Sequence, residues 1–153
     1  MESLTHRASV VVHASPEAVY DLVSDVTRTG EWSPICRECR WEDGAGGAVG
    51  DWFTGHNETP ERSWDTRSQV VVADRGREFA WVVGGTLVRW GFLMEPADGG
   101  TLLTETWEFL TRGQEFFVER YGDQAPQQVA ERTRAAHEGI PATLDAVKRI
   151  AEA

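Results

Sequence analysis

Between residues 35 and 110 the chain breaks into six strand-length segments: 35–43, 50–58, 63–74, 77–84, 86–95 and 101–110. Turn residues separate them: Gly44-Ala45-Gly46-Gly47, Thr59-Pro60-Glu61, Asp74-Arg75-Gly76, Gly84-Gly85 and Pro96-Ala97-Asp98-Gly99-Gly100. Breaks this short make antiparallel hairpins the natural connection. A β-branched segment at the front, 7–13, predicts one more strand. Ser15-Pro16-Glu17 then reads as a helix start, with a capping hydroxyl, a proline at the first helical position and an acid in the first turn. Ala18, Val19, Leu22, Val23 and Val26 carry that helix over 16–26, and a second short helix or turn ends at Pro34. Beyond residue 113 the period becomes helical again. A short helix is predicted over 115–121 and a long one from Pro126 to about residue 150, with the stripe Val129, Thr133, Ala136, Ile140, Leu144 and Val147. Pro141 has no N–H for the His137 carbonyl, which predicts a kink. The implied class is α+β, one domain over 1–153, with an antiparallel sheet covered on one face by the C-terminal helix.

Charge narrows the partners. Fifteen basic residues stand against 25 acidic ones, a formal net charge of -10. A nucleic-acid binder needs a basic face for phosphates, and anionic lipid surfaces select the same sign. No apolar run approaches the roughly 18 to 20 residues that span a bilayer, and no signal peptide is visible, so a soluble cytoplasmic protein is expected. A monomer or homodimer is expected. The unusual number is seven tryptophans, Trp32, Trp41, Trp52, Trp64, Trp81, Trp90 and Trp107. Each indole N–H needs a partner, and a core of this size does not require so many.

Several phrases resemble the SRPBCC (START-like, helix-grip) superfamily, in particular its bacterial polyketide cyclase/dehydrase-like branch. They are Ala14-Ser15-Pro16-Glu17-Ala18-Val19-Tyr20-Asp21-Leu22-Val23-Ser24-Asp25, Gly30-Glu31-Trp32-Ser33-Pro34, Val49-Gly50-Asp51-Trp52-Phe53-Thr54-Gly55-His56-Asn57 and Gly99-Gly100-Thr101-Leu102-Leu103-Thr104-Glu105-Thr106-Trp107. The resemblance spans essentially the whole chain. It implies a curved seven-stranded sheet gripping the long helix, two short helices after the first strand, and a deep cavity for an apolar or aromatic small molecule. The superfamily includes lipid-transfer proteins, hormone receptors and aromatic-polyketide cyclases, so it implies a pocket rather than one reaction.

Strand alternation assigns the pocket wall. The predicted inward sets are Leu103, Glu105, Trp107 and Phe109; Trp90, Phe92 and Met94; Phe79, Trp81 and Val83; Trp64, Thr66, Ser68, Val70 and Val72; Phe53, Gly55 and Asn57; and Cys39 and Trp41. Trp52 and His56 fall on the opposite face, and Trp32 sits in a loop at a possible entrance. Candidate ligand contacts are therefore Trp32, Trp41, Phe53, Asn57, Trp64, Trp81, Trp90, Phe92, Trp107 and, from the helix, Ile140. Each also has an ordinary reading as core packing. Glu105 is a carboxyl held by an Arg or an indole N–H, a residue at the wet mouth of the cavity, or an acid of raised pKa available for proton transfer. His137 is either a cavity histidine or a solvated one on the helix flank. Cys36-Arg37-Glu38-Cys39 lacks the second ligand pair a zinc site needs, and residues three apart on a regular strand point to opposite faces. No metal or cofactor is expected, and no nucleophile elbow, phosphate loop or zinc-protease motif is present.

Three functions fit these readings. One is binding of a polyketide-, lipid- or isoprenoid-like hydrophobic molecule between sheet and helix. Another is a cyclase/dehydrase-type enzyme using Glu105 or His137 as acid or base. The third is a protein-partner module of the same fold.

Overall fold

The computed structural model describes residues 2–153. Seven strands form one curved antiparallel sheet in the order β1-β7-β6-β5-β4-β3-β2. They are β1 (Leu4–Val12), β2 (Cys36–Trp41), β3 (Trp52–Thr59), β4 (Arg62–Asp74), β5 (Glu78–Val83), β6 (Val88–Ala97) and β7 (Gly100–Phe109). Strands β2 to β7 follow one another as hairpins, and β1 returns to pair with β7. The front strand starts earlier than its β-branched stretch suggests, because Leu4 to Arg7 complete the ladder against Thr106 to Phe109.

Helix α1 (Pro16–Val23) begins at Ser15, whose hydroxyl accepts the Ala18 N–H at 3.1 Å. It stops at Val23, and a separate 3-10 helix, Val26–Glu31, follows from the Asp25 cap. These two carry the chain from one edge of the sheet to the other. Helix α2 (Thr111–Tyr121) starts four residues before its predicted boundary. Gly113 permits this, since a Cβ there would stand 2.2 Å from the Leu87 carbonyl oxygen. Helix α3 (Ala125–Glu152) continues through Pro141 as a single element. It packs Ala136, Ile140, Leu144 and Val147 into a core completed by Val12, Phe79, Phe92, Leu103 and Phe109.

Two β-bulges correct the strand-parity assignments. Register slips at Val71, so Val70 opposes Trp81 while Val72 opposes Ala80. Val72 therefore leaves the concave face, and Ala73 takes its place opposite Phe79. The second slip is at Arg37: Cys36 opposes Asn57 and Glu38 opposes His56. The extra residue puts both cysteines on the concave face, against the alternation expected of an unbroken strand.

Candidate functional site

The sheet register aligns the indoles. Trp81 opposes Trp90, Trp90 opposes Trp107, and Trp107 opposes His6, forming one row across four strands. Directly opposed side chains share a face, so the row becomes a wall on the concave side. Helix α3 faces that wall with Arg132, Ala135, Ala136, Gly139 and Thr143, one stripe at helical spacing. Its middle is nearly without side chains, so helix and wall cannot close together. The result is a cavity of about 260 Å³.

Nine of the predicted contacts or acid candidates line this cavity: Trp32, Phe53, Asn57, Trp64, Trp81, Trp90, Phe92, Glu105 and Trp107. Trp41 and Ile140 do not. Trp41 stands edge-on against Phe53 with ring centroids 5.4 Å apart, at the end of the edge strand β2. Ile140 is buried in the core, because one residue of helical rotation turns it away from the Gly139 stripe. His137 also lies outside the cavity. It is exposed on α3 and stacks on His6 at 3.8 Å, where the helix crosses the edge strand. Burial, and secondarily the neighbouring His137, lower the pKa of His6.

The polar groups in the cavity differ in how well they are satisfied. The Asn57 amide donates to the Trp64 carbonyl and the Thr66 hydroxyl, both at 3.3 Å. Glu105 is 5% exposed, and its Oε1 has no hydrogen-bond partner among the described residues. The anticipated Arg or indole partner is absent from that oxygen. Burial pushes the Glu105 pKa well above the usual carboxylate range, so the group is held as a neutral acid over a wider pH range.

The bulge brings Cys36 to the wall beside Cys39, with sulfurs 3.2 Å apart. Gly55 opposite makes room; a Cβ there would stand 3.3 Å from the Cys39 sulfur and 3.5 Å from that of Cys36. The thiol–thiol hydrogen bond pushes Cys36 up and Cys39 down, and the Thr29 hydroxyl lowers Cys39 further. Among the described residues no cluster of three or more His, Cys, Asp or Glu is arranged to hold a metal ion.

In the cavity lining, Trp64 has two guanidinium groups near its ring. Arg62 lies 3.7 Å from its ring centroid and Arg132 lies 5.5 Å from it. Arg132 also lies 5.2 Å from the Phe117 ring and donates to the Gln128 side chain at 3.1 Å. Cys39 was among the expected inward residues; sequence reasoning missed Cys36 and Arg132. Cys36 depends on the bulge. The helix contribution was partly legible, since Arg132, Ala135, Ala136, Gly139 and Thr143 recur at helical spacing opposite a predicted aromatic wall.

No helix among the described residues is long and apolar enough to cross a membrane. No curated protein sequence is significantly similar to the chain. Among solved structures, a polyketide-cyclase-like protein from Corynebacterium glutamicum is 50% identical over 97% of this chain and 91% of its own, with a TM-score of 0.72. The Zhui aromatase/cyclase from Streptomyces sp. R1128 is 20% identical over 99% of this chain and 94% of its own, with a TM-score of 0.70. The di-domain aromatase/cyclase StfQ of the steffimycin pathway is 14% identical, with a TM-score of 0.76 over 99% of this chain and 51% of its own. The latter two share the fold. Residues 3–145 match the family described as polyketide cyclase / dehydrase and lipid transport, and with the half-identical Corynebacterium structure this places the chain in that family.

Proposed function

We propose that this protein binds a compact, ring-bearing hydrophobic molecule between its sheet and α3. The observation that carries this reading is the cavity of about 260 Å³ between the indole row and the small-residue stripe of the helix. That volume lies just below the usual range of roughly 300–1,000 Å³ for small-molecule sites. It suits fused rings better than a long extended chain. Flat indole faces offer offset stacking to such rings. Glu105 supplies a directional contact, donating its carboxyl proton to a ligand carbonyl or hydroxyl.

The neutral dye N-phenyl-1-naphthylamine tests the reading. Saturable fluorescence enhancement is expected with the wild-type protein. Ala135→Met, which fills the cavity from the helix side, should weaken binding at least about tenfold without loss of fold, because overpacking excludes the ligand. A folded wild-type protein that never saturates with dye refutes the proposal.

A second reading, proton-transfer chemistry of the cyclase/dehydrase type, is favoured by the unpartnered Glu105 oxygen alone. His137, stacked outside the cavity, does not support it. Under that reading Glu105→Gln keeps dye binding and loses turnover of a poly-β-ketone substrate; unchanged turnover rejects it.

A further inference from the structure

The cavity lining near Trp64 carries more cationic charge than its surroundings balance. Arg132 lines the cavity and is half-buried, on a helix face otherwise formed by Ala135, Ala136, Gly139 and Thr143. Arg62 reaches the same ring from β4, so one indole is flanked by two guanidinium groups. Neither arginine has a carboxylate oxygen within 4.0 Å among the described residues. Eight other arginines do: Arg28, Arg37, Arg40, Arg67, Arg75, Arg77, Arg89 and Arg112. Arg7, Arg120, Arg134 and Arg149 also lack one, but all four are exposed to water, whereas Arg62 and Arg132 are partly buried. Burial, and next the Arg62 charge, push the Arg132 guanidinium below its ordinary value, against smaller opposing contributions from Tyr121, which also shares a hydrogen bond with it, and Glu131. Guanidinium nevertheless stays protonated in proteins, so two like charges lie beside one aromatic ring. Aromatic faces compensate only part of that cost.

We propose that the cavity takes an anionic ligand, a compact aromatic or alicyclic carboxylate. Its ring system lies along the Trp81–Trp90–Trp107 row and its carboxylate meets Arg132 and Arg62 beside Trp64. The planar forks of the two arginines suit a carboxylate held in a paired geometry, and stacking on Trp64 restrains them before binding. At the other polar position Glu105 is the opposite kind of group, a buried carboxyl whose raised pKa favours the neutral acid. The two positions therefore specify polarity: charged group at the arginines, rings at the indoles, and a neutral acceptor, if the ligand has one, at Glu105. This proposal rests on the hydrophobic-binding reading above.

The test compares 2-naphthoate with its neutral isostere 2-acetylnaphthalene, each displacing N-phenyl-1-naphthylamine from the folded protein at neutral pH. Wild type should prefer the carboxylate by about tenfold or more, as expected for a charge-assisted contact. Arg132→Gln should remove most of that preference and change the affinity of the neutral compound by less than about twofold; Arg62→Gln should do so more weakly. Salt should weaken the carboxylate alone, a readout that needs no variant. Arg67→Gln, on the other face of the sheet, should change neither. Equal affinities for the two compounds, or equal losses for both in Arg132→Gln, overturn the anionic assignment and leave the hydrophobic reading standing. If neither compound displaces the dye, or the dye itself does not bind, the hydrophobic reading falls, and this proposal with it.

Discussion

Two arginine–tryptophan clusters occupy opposite faces of the same sheet, and they are balanced differently. On the convex side Arg67 lies 3.9 Å from the Trp52 ring centroid and makes a two-pronged bond to Glu42, at 2.6 and 2.9 Å. On the concave side Trp64 is flanked by Arg62 and Arg132, and among the described residues no carboxylate oxygen lies within 4.0 Å of either. The convex cluster is a finished surface arrangement in which cation, anion and ring satisfy one another. The cavity cluster lacks its anion. The same contrast holds for the acids. His56 on the convex side is bound by Asp65 at 2.7 Å and Glu58 at 3.1 Å, whereas the concave Glu105 has an oxygen with no partner. Residue type alone therefore does not mark the site. What marks it is polar capacity left unused where water is scarce.

The largest expected difference between the faces is in stability. Trp107 is 3% exposed and packs edge-on against Phe109, so Trp107→Ala should cost about 3–5 kcal/mol. Trp52→Ala, on the half-buried convex side, should cost roughly half of that or less. Urea unfolding of the two variants checks this, and equal losses would mean the indole row is no more integrated than a surface ring.

The next difference is in the sign of pH dependence. The Glu105 pKa is raised in the folded state by burial, so the folded state binds its proton more tightly than the unfolded one. Its contribution to stability is then full below the ordinary glutamate value, about 4.3, and declines as pH rises through the raised value. Glu105→Gln should match the wild type near pH 4 and exceed it in urea midpoint near pH 7–8. A variant less stable than wild type at neutral pH would point to a hydrogen-bonded, ionised Glu105.

The smallest effect belongs to His56. Asp65 first, then Glu58, raise its pKa, so its contribution is present below the ordinary histidine value, about 6.5, and fades as pH rises through the raised one. The group is exposed, so the loss in His56→Gln should be slight, confined to acidic pH and reduced by salt. A loss unaffected by salt would break the picture of the convex face as a screened surface network.

The strand and helix sequence was largely legible, since each hairpin turn and helix start is a short-range event. Ser15 caps its own helix, and Gly84-Gly85 turns its own hairpin with both φ positive. The indole row was legible too, because β5, β6 and β7 keep unbroken alternation against each other. Errors fell where alternation is broken by one extra residue. Val72 and Cys36 changed faces at bulges, and a bulge is set by the fit of one strand to its neighbour rather than by the strand itself. Ile140 falls outside the cavity, and His137 takes the flank position of its two expected ones, for a related reason: a helical stripe identifies which face is buried, but not which part of it meets the cavity rather than the core or the edge strand β1.

By itself, then, the amino-acid order determined the elements, their antiparallel succession and the tryptophans that share a face, since period and turn chemistry act over a few residues. Tertiary structure alone decided that the helix face with Gly139 stands off from the wall, that Glu105 is left without a partner for one oxygen, and that Arg132 comes to share Trp64 with Arg62. Those three facts depend on how far apart docked elements rest. That separation is set by side chains distant in the chain, which no local pattern encodes.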